Sequence, residues 1–141
     1  MGRTRRVWTV VAAGVVAGAV STGTAWAGGP GGAVEAGTSV AVGTGLFNNS
    51  IVGFSATGAT NDEASANVIA TCQAAGGVDC TADEVTNDNL CIAAVASDLT
   101  NIVAGGAGPT VEAARQDALN KAIANGTPEG PDAVVVVSVC P

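Results

Sequence analysis

Four cysteines in a chain almost without bulky aromatic side chains constrain this sequence more than anything else in it. Cys72, Cys80, Cys91 and Cys140 are an even set, and in an exported chain such a set forms two bridges rather than free thiols. Phe, Trp and Tyr together make up 3% of the residues and 20 residues are glycine, so a core must be assembled from Val, Ile, Leu and Ala. Small side chains bury little apolar area, and each fixed glycine costs extra backbone entropy. Crosslinks compensate for so thin a core.

The N-terminus gives the reason crosslinks are available. Arg3, Arg5 and Arg6 precede an uncharged, mostly aliphatic run from Val7 to Val20, and Ala25-Trp26-Ala27 places small residues where a signal peptidase reads them. This pattern predicts a signal peptide over 1–27, a flexible Gly-rich leader over 28–38 and a single secreted, extracellular domain over 39–141. The aliphatic run falls short of the roughly 20 residues that span a bilayer, which argues against a retained anchor. Cleavage would leave two basic residues, Arg115 and Lys121, against all 12 acidic ones. So acidic a surface excludes nucleic acid and anionic membrane as partners, because both demand positive charge. A protein partner remains open, and the charge also serves solubility.

The domain reads as two copies of one unit, over about 39–89 and 90–141. In the first, Ser39 to Thr44 and Ile51 to Ala56 are strands joined at Asn48-Asn49. Thr60 with Glu63 forms a capping box that starts a helix from Asn61 to about Ala75, with Ala64, Val68, Ile69, Cys72 and Ala75 as its apolar stripe. In the second, Ile92 to Ala96 and Asn101 to Gly105 are strands with a turn at Ser97-Asp98. Gly108-Pro109-Thr110 matches Gly58-Ala59-Thr60 at an offset of fifty positions, ahead of a helix from Val111 to Ala124. Its stripe is Val111, Ala114, Ala118, Leu119, Ala122 and Ile123, and Ala133 to Cys140 is the last strand. Asp79-Cys80 aligns with Asp132-Ala133 once extra loop residues are allowed. The expected fold is α+β: an antiparallel sheet built from two strand-strand-helix-strand repeats, two helices packed on one face, and two disulfides.

Of three possible pairings, Cys72 with Cys80 is favoured, because a cysteine on the buried stripe at a helix end lies close to the start of the next strand. Their counterparts in the second unit are Ala122 and Ala133, so both partners are absent together. Cys91 with Cys140 then ties the first and last strands of the second unit. If those two lie opposite each other, Ala93 faces Ser138 and Val95 faces Val136. The opposite side carries Ile92, Ala94, Ala96, Val135, Val137 and Val139 and is the expected helix seat. An apolar face around Val95, Val134 and Val136 would then stay open as an interaction surface.

Gly58 and Thr60 before an Ala-rich helix, Cys72 ending it, Asp79-Cys80 opening a strand, Cys91 and Ala93 starting the second unit, Thr110 at its helix and Cys140 after a Val-rich strand form an ordered pattern. In that order the chain resembles a family of small secreted actinobacterial proteins known as a domain of unknown function (number four-one-eight-nine). The resemblance covers Val40 to Cys140 and implies the fold but no activity, cofactor or site. The sequence departs from the family in lacking its Trp and Tyr near the strand ends and a second helix-end cysteine pair.

Enzyme chemistry finds little to work with. The chain has no His, the commonest general base, and bridged cysteines supply neither nucleophile nor metal ligand. Asp79, Asp83, Glu84 and Asp88 are the densest acids and could bind calcium, but they lack the Gly-containing spacing of a dedicated loop and read as a solvated one. The expectation is a non-catalytic binding or interaction module without catalytic residues, metal or cofactor. The alternative is a small calcium-dependent or hydrolytic enzyme using the acidic segment 79–88.

Overall fold

Strand β1 (Ser39–Phe47) turns at Asn48-Asn49 into β2 (Ser50–Gly58). Both asparagines hold positive φ, 51° and 72°, the two-residue turn whose twist matches that of its strands. The computed structural model describes residues 38–141. The expected signal peptide and all but the last leader residue lie outside the described residues. Helix α1 (Asn61–Ala74) and β3 (Val78–Thr86) complete the first unit, and β4 (Cys91–Ser97), β5 (Ile102–Gly108), α2 (Val111–Ala124) and β6 (Val134–Val139) make the second.

The helices begin and end by the same chemistry at the expected offset. Thr60 Oγ1 accepts from the Glu63 N–H and Thr110 Oγ1 from the Ala113 N–H, each at 3.1 Å, so each hydroxyl satisfies one of the free donors of a starting helix. At the other end Gly76 (φ 98°) and Gly126 (φ 77°) take up the left-handed conformation that glycine adopts without steric cost. The Gly77 N–H then donates to Cys72 O at 3.0 Å and the Thr127 N–H to Ala122 O at 2.9 Å, closing both helices in the same motif.

The strands divide into two antiparallel sheets, β2-β1-β3 and β5-β4-β6, where a single sheet was expected. The reason is visible in β1 and β4, which are buried on both faces. A three-stranded sheet with a helix on one side would leave its other apolar face in water, and the two units cover that face for each other. Val40 and Val42 of β1 meet Ile92 and Ala94 of β4 and Val137 and Val139 of β6 in one cluster. The stack places β1 over β4, β2 over β6 and β3 over β5. Second strand over third, twice and reciprocally, is the relation a pseudo-twofold axis produces.

Each helix packs on the outer face of its own sheet, and here the expected sidedness reverses. Ile92, Ala94, Val137 and Val139 face the other sheet rather than a helix. The helix seat is built from the small residues: Ala114, Ala118 and Ala122 are the buried positions of α2, and a methyl group on Gly106 of β5 would overlap the backbone of Ala114 and Ala118. Small residues on both sides let the helix axis come close, while the branched side chains fill the wider space between sheets. The expected stripe is correspondingly narrower, with Ile123 64% exposed and Val111 at the margin. In α1, Ala64, Val68 and Cys72 are buried and Ala75 is exposed.

Both disulfides form as expected, Cys72–Cys80 and Cys91–Cys140. The first sits in the room left by Gly45 and Gly77, where side chains would collide with Cys72 Sγ. The second joins the start of β4 to the residue after β6. Disulfides belong to oxidising surroundings rather than the cytoplasm. Among the described residues no helix is long and apolar enough to cross a membrane.

Candidate functional site

Most of the acidic segment is strand rather than loop, with Asp88 alone of its four acids lying beyond β3. Residues 79–86 lie in β3, paired with β1 through two register shifts, and its acids go separate ways. Asp83, unpaired between Ala82 and Glu84 in that ladder, accepts from Thr81 Oγ1 at 2.7 Å, and burial pushes its carboxyl above the usual range. Glu84 accepts from Lys121 at 3.1 Å, bridging the two units. Among the described residues no three His, Cys, Asp or Glu side chains are grouped to hold a metal ion.

The three valines expected to form an open face are also separated. Val95 is fully buried and shares its side of β4 with Ala93, the side α2 covers. A bulge opposite Ala94 and Val95 pairs Val95 with Val135, so Val136 is left over and packs, half-buried, against the core between the sheets. Val134 alone is largely exposed, at 57%.

A concave site appears instead where the two units differ. Between α1 and β3 the chain needs only Ala75, Gly76 and Gly77, whereas between α2 and β6 it runs from Asn125 to Ala133. In the first unit the corner is sealed by the disulfide and by Phe47, whose ring closes on Gly77 and stacks at 5.7 Å on Phe54. In the second unit Ser97 pairs with Ile102 as Gly45 pairs with Val52, so a serine stands where the first unit has the glycine that makes room for the disulfide. Its hydroxyl donates to Asp132 Oδ1, and the Leu99 N–H donates to Asp132 Oδ2 at 3.1 Å. These bonds, the Ser97 hydroxyl first, hold the Asp132 carboxyl below its ordinary value and clamp the longer linker onto the β4–β5 hairpin. The Ala133 N–H closes a turn on Gly130 O at 3.1 Å.

The clamped linker stands away from α2 and leaves a cleft of about 340 Å³. Leu119 and Ile123 form its helix wall, Pro128, Pro131 and Ala133 the opposite one, and Arg115 and Glu129 bring charge to it. The cleft is open to solvent and lined by polar and apolar groups together, a surface that a partner's side chain can enter. Arg115 is held by Glu112, donating through Nε at 3.1 Å and Nη2 at 2.8 Å, which keeps the Glu112 carboxyl below the usual range. Glu129 differs from every other acid of the domain in having both carboxylate oxygens closed off from solvent without a hydrogen-bond partner. Burial, and then the neighbouring Asp132 charge, push its pKa up to about 7.

Sequence reasoning missed this site, and the signal for it was the length mismatch between the two helix-to-strand linkers, with Pro128 and Pro131 marking the longer one as a shaped loop. A family model described as "Domain of unknown function (DUF4189)" matches residues 14–140 of the chain. No curated protein and no solved structure matches it.

Proposed function

Because the chain belongs to the DUF4189 family, a membership that brings a domain but no activity, we propose from the geometry that it is a secreted, acidic, disulfide-stabilised binding module. Its site is the cleft between α2 and Pro128–Ala133, and its partner is a protein that inserts a side chain there. The observation that carries this reading is the placement of the cleft. Two units with matching helix limits, caps and terminal motifs diverge at the helix-to-strand linker, which in the second unit is longer, shaped by two prolines and clamped by Asp132. Loops that depart from a repeated scaffold are where binding specificity is added. Export is supported by the Arg3, Arg5 and Arg6 segment ahead of an aliphatic run and by two disulfides of the kind formed in oxidising compartments.

The internal duplication supplies a matched control. Ile123 lines the cleft, and Gln73 is its exposed counterpart on α1. The immobilised oxidised protein is compared with its Ile123→Glu and Gln73→Glu variants for retention of proteins from culture medium. A species kept by the parent and by Gln73→Glu but lost with Ile123→Glu is the expected result. Equal retention by all three would refute the cleft as the site.

A further inference from the structure

Resting on the cleft as the binding site, we propose that it receives a primary ammonium group on an apolar stem, the chemistry of a lysine side chain of the partner, with the Glu129 carboxylate as counter-ion. The walls fit such a stem. Leu119, Ile123, Pro128 and Pro131 offer apolar surface along the cleft, which is what the methylenes of a lysine cover while the charged head seeks a polar partner.

Charge complementarity decides the head group. The described residues hold two cations, and both are engaged elsewhere: Arg115 by Glu112, and Lys121 by Glu84 at 3.1 Å and Asp117 at 3.0 Å. Neither reaches Glu129, whose two oxygens accept no hydrogen bond. The charged groups around it are Arg115 on α2 and Asp132 on its own segment, while Asp98 on the packed hairpin accepts from the Ile51 N–H at 3.1 Å. An ionised carboxylate left so is costly, and a buried one takes up a proton instead. An arriving ammonium removes that cost by supplying the missing donors and the opposite charge. Glu129 is itself among the residues lining the cleft, and its carboxyl has to turn out of its closed position to meet the ligand. An anionic ligand would meet an arginine already neutralised by Glu112 and the repulsion of Glu129 and Asp132.

Binding therefore couples to a proton. With a carboxyl pKa of about 7, only the ionised fraction is competent, so affinity for an ammonium should be about tenfold higher at pH 8 than at pH 6. The test uses n-butylammonium as the probe and n-butanol as its neutral counterpart, on the full folded domain, with carbon NMR of the Glu129 carboxyl and the Leu119 and Ile123 methyl groups. The expected result is a carboxyl midpoint near 7 that moves down when butylammonium is added. Methyl shifts should saturate with butylammonium more readily than with butanol, and that preference should vanish in Glu129→Gln. An unmoved midpoint, or equal response to both probes, would overturn the ammonium assignment. Equal response would still leave an apolar cleft, so this failure is distinct from failure of the retention experiment.

Discussion

Gly106 shows how much of this fold is decided by the smallest side chains. It lies on β5 beneath α2, where a methyl group would meet the backbone of Ala114 and Ala118. Gly106→Ala must lift the helix or strain the strand, and should lower stability by about 1–3 kcal/mol in urea unfolding. At the other extreme stands Glu129, whose raised pKa ties stability to pH. Between about 4.5 and about 7 the folded chain keeps a proton on this carboxyl that the unfolded chain has released, so stability falls as pH rises through that window. Asp83, also raised by burial, contributes with the same sign. Melting temperature measured at pH 5 and pH 8 should therefore fall with pH, and Glu129→Gln should flatten the fall.

Among the elements, the helices were the most legible, because their limits rest on local chemistry that a sequence displays. The capping threonines, the terminal glycines and the Asn48-Asn49 turn all act within a few residues of themselves. Thr60→Ala and Thr110→Ala should each cost about 1 kcal/mol, measured by urea unfolding, with the double variant close to the sum because the helices lie on opposite outer faces. The sidedness of the sheets was not legible. Ile92 and Val137 seemed to demand a helix, yet what a helix needs is room, and Ala93, Gly106 and the Ala114-Ala118-Ala122 row provide it. Strand β3 was expected to open at Asp79-Cys80, but its acidic stretch read as a loop, because its acids are spread along an edge with two irregular pairings and show neither clean alternation nor an apolar run. Equivalent helix positions even keep equivalent ties to the sheet. The Asn67 side chain donates to Thr57 O at 2.8 Å, and fifty positions later the Ala107 N–H donates to Asp117 Oδ2 at 3.0 Å, the main cause of that carboxyl's lowered pKa.

For the molecule as a whole, two thin sheets become stable by burying each other, with one crosslink inside each unit. Cysteine pairing was readable from spacing and from the paired absence of partners at Ala122 and Ala133. The stacked arrangement and the cleft were not, since both arise only when distant segments meet. Closing a loop of forty-nine residues restricts the unfolded chain more than closing one of eight. Replacing Cys91 and Cys140 by Ala should thus cost about 4 kcal/mol, and replacing Cys72 and Cys80 about 2.5 kcal/mol, read from urea midpoints. The functional claim is that two copies of one unit share a core and bind through the longer helix-to-strand linker of the second. Hydrogen exchange of the oxidised domain, free and with the retained partner, tests this most directly. Slowed exchange confined to 115–123 and 128–133 is predicted, whereas slowing over 65–77 or along β3 with the cleft unchanged would contradict it.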